Sequence, residues 1–151
     1  IMMKILILNG PNLNLLGTRE PNIYGTTPME ACCAQLRANF PSLSLVYDQN
    51  NSEGALIDRL QLAAKDGTFG VVFNAGAYTH TSLALADCIR AIGLPVVEVH
   101  ISNVAAREPI RRQSLIAEAC AGTISGFGID VYRLGIEALL GLKQTITTQS
   151  E

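Results

Sequence analysis

Three features of this 151-residue chain predict a three-layer α/β fold built around a parallel sheet. Short apolar runs recur at regular intervals, amphipathic segments with helix-start signals lie between them, and polar, amide-rich stretches follow the runs. Unbroken apolar runs read as strands buried on both faces, an environment that a parallel sheet covered by helices provides.

The first run is Ile5 to Leu8, followed by a long polar loop from Asn9 to Gly25. Thr27 can cap the first helix, Pro28 suits its first position and Glu30 can complete a capping box, so this helix is expected to reach about Asn39. Leu43 to Tyr47 reads as strand two. Ser52 and Glu53 open a second helix, with Leu56, Ile57, Leu60, Ala63 and Ala64 on one face and an end near Gly67. Val71 to Phe73 is strand three, and a third helix covers Ser82 to Ile92 before Gly93-Leu94-Pro95 stops it. Strand four spans Val96 to Ile101, Glu108 to about Arg112 reads as a short helical turn, Thr123 to Phe127 is strand five, and Asp130 to Leu142 forms the last helix. Five strands alternating with helices at this length predict one domain over residues 1–151, with the flavodoxin-like strand order 2-1-3-4-5.

Composition narrows the function classes. A 48% hydrophobic content fills one sizeable core, and a net charge of -2 with eleven scattered Lys and Arg offers no basic face to nucleic acid or to an anionic membrane. No stretch approaches the roughly 20 apolar residues of a membrane span, so a soluble cytoplasmic protein is expected. Cys32 and Cys33 are adjacent while Cys88 and Cys120 stand apart, a spacing that suits reduced thiols rather than a disulfide frame or a zinc site.

Open parallel sheets bind ligands outside the carboxyl ends of their strands. The segments there are Asn9 to Asn12, Asp48 to Asn51, Asn74 to Ser82 and His100 to Asn103, and they hold both histidines of the chain. Glu98 precedes His100 by two residues, so the two side chains share a strand face, and a carboxylate beside an imidazole suits a general acid. A core histidine with a buried partner is the bland alternative, which His80 on the adjacent strand end weakens. Thr81 and Ser82 read first as helix caps. Backbone N–H groups at Ile101 and Ser102 can cradle a carboxylate, and Arg111 can meet hydroxyls or a charge, although a surface cation would look the same.

The loop of about residues 10–26 exceeds the usual length of a connection, and Gly17 and Gly25 at its edges suit a lid. It carries Arg19 and Tyr24. A guanidinium beside a phenol favours the ionised form and can make a tyrosinate base, although singly each is an ordinary surface residue. No third ligand joins the two histidines at a metal-site spacing, and there is no GxGxxG, GxxxxGK[ST] or GxSxG motif. A flavin-binding or phosphate-receiver module using the same crevice is the rival reading. A receiver wants acids after strand one and an acceptor Asp after strand three, where Asn9 and Asn74 stand, and no Ser/Thr-rich phosphate loop follows strand one.

Residues 7–25, ILNGPNLNLLGTREPNIYG, residues 73–82, FNAGAYTHTS, residues 98–104, EVHISNV, and Arg107-Glu108-Pro109 together resemble the type II 3-dehydroquinate dehydratases, in the family's order and over nearly the whole chain. The resemblance implies a flavodoxin-like lyase that takes 3-dehydroquinate to 3-dehydroshikimate by anti elimination through an enolate, with no metal, Schiff-base lysine or other cofactor, in the shikimate or quinate pathway. By position, Tyr24 matches the base at C2 and Arg19 the lid arginine that favours its ionised form. Asn12 matches the residue holding a water at the enolate oxygen, His100 the acid at the C1 hydroxyl and Glu98 its orienter. Asn74 and the backbone of Ile101 and Ser102 match the carboxylate cradle, and His80 and Arg111 the groups holding ring hydroxyls. The resemblance also implies a homododecamer, a tetramer of trimers, with Asp87 reaching a neighbouring site. Ala75 stands where many members have Pro, Ala105 where many have His, and Gln113 to Ala121 departs from the family's pattern.

Overall fold

The computed structural model of the chain describes residues 2–18, 20–24 and 28–150, and for residues 21, 24 and 144–150 it describes the backbone alone. Arg19, Gly25 and Thr27 lie outside the described residues, as does the side chain of Tyr24.

Five parallel strands form one sheet in the order β2-β1-β3-β4-β5, the order the sequence predicts: β1 Met3–Asn9, β2 Leu43–Gln49, β3 Thr68–Asn74, β4 Val96–His100 and β5 Gly122–Ser125. β1 lies inside the sheet between β2 and β3 and is apolar on both faces, with Ile5, Leu6, Ile7 and Leu8 at most 1% exposed. Ile5 and Ile7 face one layer, made by α2 (Met29–Asn39) and α5 (Val131–Ser150). Leu6 and Leu8 face the other, made by α3 (Glu53–Ala63) and α4 (Leu83–Ile92). Leu56 and Leu60 of α3 are fully buried, a burial worth about 1.5–3 kcal/mol for each side chain.

The element starts show which local signals are used. Ser52 Oγ accepts from Ala55 N at 3.3 Å, and Ser82 Oγ accepts from Leu85 N at 2.9 Å, so serine hydroxyls cap α3 and α4. Thr81 takes no part in capping α4; its N–H instead closes the preceding 3-10 turn on the Tyr78 carbonyl. Pro28 sits at the cap position of α2 rather than inside its first turn, with extended backbone and no side-chain cap bond. Further boundaries differ from those read in the sequence, most of all the end of α5, which runs to Ser150 rather than Leu142. β4 ends at His100, so Ile101 belongs to the following bend. β5 ends at Ser125 because Gly126, at φ 95°, turns the chain out of the sheet before Phe127. The short helical turn expected from Glu108 to about Arg112 is the 3-10 helix Pro109–Arg112, with Glu108 at its cap position.

The polar loop after β1 has internal order. It contains a 3-10 turn over Leu13–Leu15 and a short helix α1 over Pro21–Tyr24, and Leu13 and Leu16 are buried in the α2–α5 layer. These leucines anchor the base of the expected lid. α5 lies unusually close to the sheet, since a Cβ added at Gly135 would stand 2.8 Å from Val72 Cγ1. That approach brings Tyr132, one turn earlier, under the strand ends.

Candidate functional site

β1, β3 and β4 end on Asn9, Asn74 and His100, and their last side chains are where the apolar strands meet the crevice. A cavity of about 160 Å³ opens there, and Asn12, Asn74, His80, His100, Ile101, Ser102 and Arg111 line it together. Seven residues singled out in the sequence thus converge from four separate segments.

His100 is 6% exposed and its Nε2 lies 2.5 Å from Glu98 Oε2, which is 1% exposed behind it. Their alternation on β4 puts both on the α4 side, while Val97, Val99 and Ile101 pack on the α5 side. The other carboxylate oxygen, Glu98 Oε1, accepts from Ser114 Oγ at 2.9 Å, and that hydroxyl accepts from Ala117 N at 3.0 Å. Glu98 is therefore held at both oxygens, and it holds a proton on His100 Nε2. His100 Nδ1 is left as the ring nitrogen that can exchange a proton with a ligand.

His80 sits in the 3-10 turn after β3 and donates from Nδ1 to the carbonyl of Gln113 at 2.7 Å. A carbonyl only accepts, so His80 carries its proton on Nδ1 and is fixed in that tautomer when neutral. The two imidazoles stack loosely, with centroids 6.4 Å apart and planes at 21°.

Asn74 is 2% exposed, accepts from Gly76 N at Oδ1 and donates from Nδ2 to Tyr132 OH at 3.1 Å. Asn12 stands in the left-handed region at φ 69° and donates its N–H to Asn51 Oδ1 at 3.0 Å. Gln49 Nε2 ties Asn51 to the Gly10 carbonyl, and Tyr78 OH donates to the Asn51 carbonyl at 2.7 Å, so the root of the loop is fastened to β2. Arg111 lines the cavity while its Nε donates to Glu108 Oε2 at 2.8 Å, an interaction that lowers the Glu108 carboxyl below its ordinary range.

Asp87 is not brought to this cavity. It stands exposed on α4, 3.7 Å from Arg90. Arg19 and the side chain of Tyr24 lie outside the described residues.

Several contributors were not singled out in the sequence. Arg107 lines the cavity and donates from Nη1 to Ser102 Oγ at 3.3 Å, and its signal was present in the Arg107-Glu108-Pro109 run. Ser114 and Tyr132 lie behind the lining and carry no local motif, while Asn9, at the end of the first apolar run, lies behind it too. Among the described residues no group of three or more His, Cys, Asp or Glu is placed to hold a metal ion, and no helix is long and apolar enough to cross a membrane.

The chain matches the model of the dehydroquinase class II family over residues 3–140. It is 55% identical over 141 residues to the 3-dehydroquinate dehydratase of Pelodictyon phaeoclathratiforme, covering 93% of each chain. To that of Azorhizobium caulinodans it is 56% identical over 138 residues, covering 89% of this chain and 92% of the relative. The crystal structure of type II dehydroquinase from Butyrivibrio crossotus superposes with a TM-score of 0.89 at 43% identity, covering 91% of this chain and 97% of that one.

Proposed function

The chain belongs to the dehydroquinase class II family, and on that premise we propose that it is a carbon–oxygen lyase taking 3-dehydroquinate to 3-dehydroshikimate by anti elimination of water through an enolate, in the shikimate pathway. The observation that carries the mechanism is the buried Glu98–His100 pair at the wall of a cavity whose other groups are amides, a second histidine and arginines.

In this reading Tyr24, ionised with the help of Arg19, takes the C2 proton and leaves an enolate. Asn12 holds a water against the enolate oxygen. His100 then gives a proton to the departing C1 hydroxyl, its ring oriented from behind by Glu98. Asn74 and the N–H groups of Ile101 and Ser102 hold the substrate carboxylate, while His80 and Arg111 hold ring hydroxyls. The chemistry asks for no metal and no organic cofactor. In this reading the loop of residues 10–26 acts as the lid that brings Arg19 and Tyr24 over the ring, moving beyond the buried Leu13 and Leu16 with Gly17 as its pivot.

Assembly as a homododecamer of four trimers belongs to the same proposal. In this reading Asp87, which is exposed and outside its own subunit's cavity, reaches a neighbour's site. Four unpaired cysteines go with a reducing, cytoplasmic location.

The test is direct. Protein treated with a chelator and mixed with 3-dehydroquinate is expected to produce the ultraviolet absorbance of the conjugated enone, and no rise in absorbance sinks the reading. Tyr24→Phe should lose nearly all turnover while still binding ligand. His100→Ala should still exchange the C2 proton with solvent but release no product, and normal turnover would remove it as the acid.

A further inference from the structure

Below the cavity floor lies a buried polar chain that the mechanism above does not use. Tyr132 on α5 is fully buried, as is Asn9 at the end of β1, and Asn74 at the end of β3 is nearly so. Tyr132 OH donates to Asn9 Oδ1 at 2.7 Å and accepts from Asn74 Nδ2 at 3.1 Å, and Asn9 Nδ2 donates onward to Tyr47 OH at 3.4 Å.

Donor and acceptor roles along this chain are forced. Gly76 N–H, which can only donate, lies 3.1 Å from Asn74 Oδ1, so the carbonyl end of that amide faces Gly76 and the NH2 end faces Tyr132. The phenol oxygen must then accept from Asn74, and its single proton goes to Asn9 Oδ1. Asn74 keeps a second Nδ2 hydrogen, and the residue lines the cavity. Reversing the Asn74 amide would put a carbonyl oxygen against the phenol and a second donor against Gly76 N–H. The cavity would then lose a donor at the place where an anion is to bind. Burial also raises the phenol of Tyr132 well above its ordinary range, which keeps it a neutral donor.

We propose that Tyr132 is a positioning residue for the acid-binding end of the site: held by Asn9, its hydroxyl acts with the Gly76 N–H to hold the Asn74 amide in one orientation, and so presents the second Nδ2–H of Asn74 to the substrate carboxylate. The proposal rests on the reading of Asn74 as a carboxylate ligand. Tyr132 touches no substrate. Gly135 supports it indirectly, because only a residue without a Cβ lets α5 come close enough to the sheet for the phenol to reach both amides.

Tyr132→Phe, Asn74→Ala and the double variant are compared in steady-state kinetics with 3-dehydroquinate. Tyr132→Phe is expected to raise KM about tenfold, the effect of losing one well-placed hydrogen bond to a charge, with kcat within about threefold. The double variant is expected to be no worse than Asn74→Ala, because one path carries both effects. If Asn74→Ala raises KM and Tyr132→Phe does not, the relay is overturned while the reading of Asn74 stands. If Asn74→Ala leaves KM unchanged, the reading of Asn74 fails and takes the relay with it. A Tyr132→Phe variant that loses kcat and KM together, additively with Asn74→Ala, reports a structural role and overturns the proposal. Should Tyr132→Phe not fold, the unaltered protein still decides. Its 15N-labelled Asn74 amide is expected to show the proton facing Tyr132 exchanging slowly with solvent, and rapid exchange of both protons would refute the relay.

Discussion

Glu98 and His100 form a buried pair in which one carboxylate oxygen lies 2.5 Å from the imidazole Nε2 and the other is held by Ser114. The arrangement fixes the orientation of the ring, which suits the general acid proposed for His100. Glu98→Gln keeps the size and one acceptor but removes the charge. Turnover is expected to fall on the order of 10–100-fold with little change in KM, since general acid catalysis typically contributes 10²–10⁴-fold and part of the orientation survives. Steady-state kinetics check this, and an unchanged kcat would remove Glu98 from the catalytic arrangement.

A second prediction concerns the contact between the ends of β1 and β3. Gly10 N donates to the Asn74 carbonyl at 2.7 Å, and a Cβ at Gly10 would meet the Ala75 carbonyl oxygen at 2.6 Å. Backbone on both sides leaves nothing flexible to yield. Gly10→Ala is therefore expected to cost about 1–3 kcal/mol of stability and to move Asn74 away from the cavity. Urea denaturation and KM should change together, and a variant as stable and as tightly binding as the parent refutes the close approach.

The four thiols supply a third. Burial raises Cys32 to about 12, with the charges of Cys33 and Asp130 adding to it, and raises Cys120 to about 12, with Glu98 adding to it. Cys33 and Cys88 are also raised, chiefly by burial. The thiolate is the reactive form, so at pH 8 the folded protein is expected to react slowly with iodoacetamide and to keep its activity. Unfolding in urea should release all four for labelling. Rapid modification of a single cysteine in the folded state would contradict this.

The frame of the molecule was legible in the sequence because its signals are local. Ile5 to Leu8 is apolar without alternation, so it had to be a strand covered on both faces, and Ser52 and Ser82 stood directly before apolar helical patterns. Asn74 and His100 were found for the same reason, since a polar residue ending an apolar strand points to the crevice. The support behind them was not legible. Tyr132 meets Asn74 across 58 residues and Asn9 across 123, and which face of α5 turns inward is decided by packing around Gly135. Ser114 lies in a segment without periodic structure, so nothing in its neighbours announces a partner for Glu98. Pro28 misled by its type: proline suits a first helical turn, yet here it stands one place earlier, at the cap.

The last prediction follows from Asp66, which pins the irregularity where β1 and β3 begin to pair. Lys4 pairs with Thr68 but Ile5 pairs with Gly70, leaving Phe69 as an extra residue. Asp66 Oδ1 accepts from Thr68 N at 3.1 Å and Thr68 Oγ1 at 2.6 Å, and Oδ2 meets Lys4 Nζ at 2.9 Å. Burial alone would raise this carboxyl, but the hydrogen bonds from Thr68 and Lys4 outweigh it and hold the group below its ordinary value. A carboxyl lowered on folding contributes stability that is complete above its unfolded pKa, about 3.9, and that is lost as pH falls through the lower folded value. Asp66→Asn is expected to cost about 1–2 kcal/mol at neutral pH, the scale of charge-assisted hydrogen bonds offset by desolvation. The gap between parent and variant should stay constant from pH 7 to about 5 and close below about pH 4, as the parent's Asp66 becomes protonated. Urea denaturation at a series of pH values measures that gap, and a difference that persists undiminished at pH 3 would show that the ionised carboxylate is not its source.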